Sequence, residues 1–148
     1  MVAVDASAFA VTVNVSGDGM DAWVFDIDKT LLCNVPYYAA HGFRLKLYKE
    51  VQQLGFTIFL LTGHDESQRN ITVKNLRYAG YSNWKRLILR QESDLGKLAI
   101  VYKSERRKAL EDEGYTIHES FGDQWSDLSG FAIAVRSFKL PNPMYYIA

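Results

Sequence analysis

Val24-Phe25-Asp26-Ile27-Asp28-Lys29-Thr30-Leu31 runs from strand-forming residues straight into two carboxylates spaced by two. Apolar residues continue back to Trp23 and Ala22, and the turn-like Ser16-Gly17-Asp18-Gly19 precedes them, so Ala22 to Ile27 reads as a strand. In extended chain Asp26 and Asp28 project to the same side. Two like charges that close are unfavourable unless a proton or a cation is shared between them. A hard, oxygen-seeking ion such as Mg²⁺ suits that role. An ordinary acidic strand-to-loop turn is the plainer alternative, and this segment alone leaves both open.

Outward from this segment, apolar runs recur with room for helices between them. Phe56 to Leu61 is apolar on both faces, as a strand buried between helical layers should be. Leu87-Ile88-Leu89, flanked by Arg86 and Arg90, Tyr115 to Phe121 and Phe131 to Val135 are further candidate strands. Leu45, Tyr48 and Val51 make an apolar stripe in a helix from Arg44 to Leu54, stopped by Gly55. A second helix is expected from Asp65, its N-cap, to Ala79, closed by Gly80. A third is expected from Glu105 to Glu113, capped by Ser104 and ended by Gly114. This alternation predicts an α/β domain with a parallel sheet covered on both sides, its ligands beyond the carboxyl ends of the strands. Phe9, Val11, Val13 and Val15 alternate as in a strand, but four nearby alanines favour helix, which leaves residues 1–18 undecided.

The 148 residues make one domain, residues 1–148, able to bury roughly 70% of its unfolded surface without disulfide or structural metal. Cys33 is the single cysteine, so no intrachain disulfide forms. With 17 basic and 17 acidic residues and no long basic run, a nucleic-acid partner is not expected. The cluster Arg106-Arg107-Lys108 is answered by Glu111, Asp112 and Glu113 and reads as a solvated helix face. No apolar stretch approaches the ~20 residues of a membrane span. Residues 1–10 lack a basic start before a long apolar block, so no signal peptide is evident.

Three further segments carry chemistry. Thr62-Gly63 ends the second strand before a helix, where a hydroxyl and backbone N–H groups can meet a phosphate. Lys103 stands just before the expected third helix and could neutralise an anion. Asp123 and Asp127, four apart after the fourth strand, can converge on one face if that turn is helical. Singly these read as a cap, a surface cation and a turn; four such segments in order make coincidence a poor explanation.

With those residues in place the chain resembles the haloacid dehalogenase-like (HAD) phosphohydrolase superfamily, through Asp26-x-Asp28-x-Thr30, Thr62, Lys103 and Gly122-Asp123-x-x-x-Asp127. More narrowly it is similar to the plant acid phosphatase and vegetative storage protein family. Ala22 to Asp28, Pro36-Tyr37-Tyr38, Tyr102-Lys103-Ser104-Glu105, Gly122 to Leu128 and the tail Phe138 to Tyr146 carry that likeness. The resemblance implies a HAD-like Rossmannoid three-layer fold with a mainly parallel central sheet. It implies Asp26 as nucleophile and Asp28 as general acid and base. Mg²⁺ would be held by Asp26, the main-chain carbonyl of Asp28 and Asp123. Thr62, Gly63 and Lys103 would bind the phosphoryl oxygens of a small phosphomonoester, with Thr30 and Asp127 supporting them from behind.

The chain departs from that pattern in three places. Family members usually carry a longer helical cap segment between the equivalents of Phe43 and Arg44, which leaves residues 32–43 as a much reduced flap. An uncovered pocket discriminates less among substrates and exposes apolar surface, so a homodimer is among the expected states. Lys29 stands where acids are common and could pair with a catalytic carboxylate or point away into the flap. His64 replaces a common arginine and has no assigned role; His41 and His118 lack partners at metal-ligand spacing. Sequons at Asn14 and Asn70 permit glycosylation in a secreted protein, and the family is usually vacuolar or extracellular. Two functions follow, a Mg²⁺-dependent acid phosphatase or a vegetative storage glycoprotein with little catalysis. The shortened cap has the mark of a deletion variant or an incomplete gene product, and a remnant that does not fold stably is the third reading.

Overall fold

Asp21–Phe25 forms β1, the middle strand of five, because its apolar run continues through both faces. The computed structural model describes residues 15, 17–27, 38–122 and 136–139. β2 (Thr57–Asp65), β3 (Arg86–Arg90), β4 (Thr116–Gly122) and β5 (Arg136–Lys139) complete a sheet of order β3-β2-β1-β4-β5. Every neighbouring pair is parallel. Alternate β1 residues feed opposite cores, as strand geometry requires. Trp23 and Phe25 join Leu47, Tyr48, Val51 and Leu76 of two helices, α1 (Tyr38–Gln53) and α2 (Arg69–Tyr78). Ala22 and Val24 join Phe59, Leu61, Ile117 and the Tyr102 and Leu110 side chains of α3 (Ala99–Asp112). The sheet is therefore covered on both faces, as a parallel α/β sheet must be.

The element boundaries correct several expectations. α1 begins at Tyr38, six residues before Arg44, so the helix expected from Arg44 starts within residues 32–43. Ala39 and Ala40 propagate a helix well, although the apolar stripe begins only at Leu45. β2 runs on past Leu61 to Asp65. Asp65 then caps a 3₁₀ turn, Glu66–Gln68, by accepting from the Ser67 N–H at 3.1 Å, and α2 follows. α3 starts five residues before Ser104, which lies buried inside the helix and accepts from Arg107 Nη2 at 3.2 Å; it is no cap. Lys103 is accordingly a helix-interior residue. The expected strand Phe131 to Val135 and most of residues 1–18 fall outside the described residues, whereas Val15 packs against the core on the α1 and α2 side of the sheet. Among the described residues no helix is long and apolar enough to cross a membrane.

Tyr48 ties α1 to the chain beyond α2. Its hydroxyl donates to the Ser82 carbonyl at 2.7 Å, and its ring meets Tyr81 edge-on at 5.0 Å. The turn between them needs a left-handed residue: Gly80 has φ 101°, and a Cβ there would lie 3.2 Å from Leu45 Cδ2. Among the described residues Gly63 has neither constraint, since a Cβ added there meets none of them within 4 Å. Urea unfolding should therefore show Gly80→Ala losing about 1–2 kcal/mol. Gly63→Ala should stay within about 0.5 kcal/mol of wild type.

Candidate active site

Asp26 follows the last residue of β1 at the carboxyl rim of the sheet. Lys103 reaches the same point from the second turn of α3, where Lys103, Arg107 and Leu110 share the buried face. Lys103 Nζ donates to Asp26 Oδ1 at 3.1 Å, and only 5% of the lysine and 7% of the aspartate are exposed. Removing either partner of such a buried pair is strongly destabilising, because it strands a charge away from water. Phe25 stands opposite Leu60 on β2, so Thr62 follows beside this pair on the neighbouring strand. Phe25 also stands opposite Phe121 on β4, whose last residue is Gly122.

The end of β2 is bulged. Leu61 pairs with Ile88 and Asp65 with Arg90, so Thr62, Gly63 and His64 stand against the single Leu89. A bulge re-aims the side chains and backbone groups it carries. Thr62 is 1% exposed, and its Oγ1 accepts the His64 N–H at 3.2 Å. A hydroxyl that accepts still has its own proton to donate. Asp26, Thr62 and Gly63 thus stand toward the carboxyl end of the sheet, and of the four expected residues Lys103 and Asp26 are in direct contact. Asp28, Lys29, Thr30, Asp123 and Asp127 lie outside the described residues. Among the described residues no three acids, histidines or cysteines cluster as a metal site. Of the three named Mg²⁺ ligands only Asp26 is described; its carboxylate oxygens, at the rim, are of the hard type the ion prefers.

Three residues that support this rim are not singled out by the sequence. Tyr102, fully buried, donates its hydroxyl to the Thr62 carbonyl at 2.8 Å. Arg90 donates to the Gly63 carbonyl at 3.1 Å and to the Asp94 and Lys97 carbonyls at 3.0 Å each. Asp94, 1% exposed, accepts from the Gln91 N–H at 2.9 Å and pairs with Arg106 and Lys97. The Gln91 and Asp94 spacing of a capping box is the one local signal that could have flagged it. His118 bonds Asp21 at 2.6 Å at the amino end of the sheet, away from the rim.

A parallel sheet with a carboxylate after its middle strand, a threonine on the next strand and a buried lysine from a covering helix has the layout of a HAD-like domain. The chain belongs to the family described as HAD superfamily, subfamily IIIB (Acid phosphatase), whose profile matches residues 1–48 and 43–148. It is 48% identical to "Acid phosphatase 1" of Solanum lycopersicum, over 97% of this chain and 66% of that protein. It is 39% identical to "Stem 28 kDa glycoprotein" of Glycine max, over 86% and 60% of the two chains. It is 35% identical to "Vegetative storage protein 2" of Arabidopsis thaliana, over 97% and 63%. The chain thus spans less than two thirds of the length of each. The tomato alignment runs over 167 positions against 148 residues here, so that relative carries residues this chain lacks.

Burial pushes the Asp94 carboxyl up, but the Gln91 N–H, Arg106 and Lys97 outweigh it and hold it below its ordinary 3.8. The unfolded chain therefore binds the proton more readily, and this contribution to stability is lost as pH falls below 3.8 toward the lowered value. Asp94→Asn should lower the unfolding midpoint at pH 7, and the gap to wild type should shrink as the pH is taken below 4 in thermal scans. A gap that stays constant in acid would refute that assignment.

Proposed function

We propose that the chain is a Mg²⁺-dependent phosphomonoester hydrolase that works through an aspartyl phosphate on Asp26. The observation that carries this reading is the buried 3.1 Å contact of Lys103 with Asp26 on the rim that also carries Thr62. A carboxylate and a phosphate dianion repel, so attack needs positive charge already in place. The Lys103 ammonium would supply part of it, and the Thr62 hydroxyl and Gly63 N–H would donate to the transferring oxygens. Mg²⁺ held by Asp26, the Asp28 carbonyl and Asp123 would supply the remaining charge compensation.

An Asp26 oxygen attacks phosphorus as the ester P–O bond breaks, and Asp28 gives its proton to the leaving alkoxide. Asp28 then takes a proton from the water that attacks the acyl phosphate, which frees inorganic phosphate and restores the Asp26 carboxylate. A second reading, a storage glycoprotein with little turnover, is favoured by the likeness to a soybean stem glycoprotein and an Arabidopsis vegetative storage protein. Retention of Asp26 supports the enzyme. The two profile matches meet at residues 43–48, where a cap segment would enter, which supports a shortened cap and a pocket open to varied small phosphomonoesters.

Purified protein should release phosphate from an aryl phosphate at about pH 5 to 6, and EDTA should abolish the release. Asp26→Asn should lower kcat by on the order of 10³ or more. Lys103→Met should lower it roughly 10²–10³-fold. Turnover that survives Asp26→Asn would end this mechanism. Folded protein with no turnover in Mg²⁺ would support the storage reading.

A further inference from the structure

We propose that Tyr102 and Arg90 are positioning residues for phosphoryl transfer, together latching the bulged end of β2 so that the Gly63 N–H and the Thr62 hydroxyl face the phosphate. The proposal rests on the phosphatase reading above. Where Thr62, Gly63 and His64 leave the β2–β3 register, the carbonyls of the bulge need partners from elsewhere. Tyr102 Oη takes the Thr62 carbonyl at 2.8 Å and Arg90 Nε takes the Gly63 carbonyl at 3.1 Å.

The C=O and N–H of one planar trans peptide point in opposite directions. Pinning the Thr62 carbonyl on Tyr102 therefore turns the Gly63 N–H away from Tyr102. Among the described residues the space beside Gly63 is open, since an added Cβ meets none of them within 4 Å. Pinning the Gly63 carbonyl on Arg90 turns the His64 N–H the other way, onto Thr62 Oγ1 at 3.2 Å. That contact fills an acceptor site of the hydroxyl and leaves its proton to be donated.

The same two residues tie β2 to the helix that carries Lys103. Tyr102 is its neighbour in α3, and the Arg90 guanidinium lies 4.5 Å from the centre of the Tyr102 ring. Arg90 Nη1 meanwhile holds the Asp94 and Lys97 carbonyls in the loop that leads into α3. Burial pushes the Tyr102 phenol up to about 12, so it stays a donor at any acidic working pH. One bracket thus sets the distance between the donors of β2 and the ammonium of α3. Misplacing a donor by about 1 Å can lower a rate on the order of 10²-fold.

Tyr102→Phe removes only the hydroxyl, and Arg90→Lys keeps the charge but loses the fork that reaches several carbonyls at once. With an aryl phosphate and Mg²⁺, Tyr102→Phe should lower kcat about 10–100-fold while KM moves less than about threefold. Arg90→Lys should fall between wild type and Arg90→Met. Arg86→Gln, which breaks the exposed 2.7 Å contact with Glu113 at the other end of β3, should keep wild-type kcat. A purely structural role would lower the melting temperature and leave kcat unchanged well below it. A Tyr102→Phe kcat within about twofold of wild type overturns the latch alone. Wild-type protein without Asp26-dependent turnover overturns the phosphatase reading instead. If the variants do not fold, NMR of wild-type protein decides. The Tyr102 hydroxyl proton should exchange slowly, and Mg²⁺ with inorganic phosphate should shift the Gly63 and His64 amides. A Tyr102 hydroxyl that exchanges as fast as that of Tyr78, which is 95% exposed, or an unshifted Gly63 amide overturns the proposal.

Discussion

An ammonium and a carboxylate face each other at 3.1 Å where both are almost wholly out of water, Lys103 on α3 and Asp26 at the end of β1. Taking two ions out of water is expensive, and an apolar pair of similar volume commonly holds a helix to a sheet as well or better. Stability alone therefore does not account for this pair. On the proposed phosphatase reading, the pair places the opposing charge before a carboxylate and a phosphate meet. The rest of the molecule serves to bring these two groups together from positions 77 residues apart in the chain.

The sheet accomplishes this by being buried on both faces. Trp23 and Phe25 anchor β1 against α1 and α2, and Ala22 and Val24 anchor it against α3. Small residues on the α3 side leave room for Tyr102, whose hydroxyl reaches over to β2. The bulge at Thr62 to His64 then interrupts the ladder where unladdered backbone can meet a ligand. Asp94 stabilises the loop into α3, and with it the helical register that aims Lys103 at Asp26.

The centre of the fold was legible because local and tertiary preferences agree there. The residues of β1 and the apolar stripe Leu45, Tyr48 and Val51 of α1 point inward on any reading of their period. Asp26 and Thr62 stand near strand ends, where the sequence puts them, whereas Lys103 meets Asp26 from inside a helix and not from just before one. The start of α3 was not, because Ser104 has the local chemistry of a cap, while packing of Tyr102 and Lys103 extends the helix back to Ala99. The length of β2 was hidden for a similar reason: Thr62-Gly63 reads as the end of the strand before a helix capped by Asp65, yet the chain continues to Asp65 as bulged strand. Tyr102 and Arg90 act on carbonyls 40 and 27 residues away, and no periodicity records such a contact.

The central claim is that Asp26 becomes covalently phosphorylated in each turnover. Wild-type protein mixed with an aryl phosphate and Mg²⁺, quenched in acid within the first turnovers and digested for mass spectrometry, tests it most directly. A phosphoryl group on the peptide that carries Asp26, lost when the chase contains no substrate, is the predicted result. Steady phosphate release with no phosphorylated peptide, or with the phosphoryl group on another residue, would contradict it.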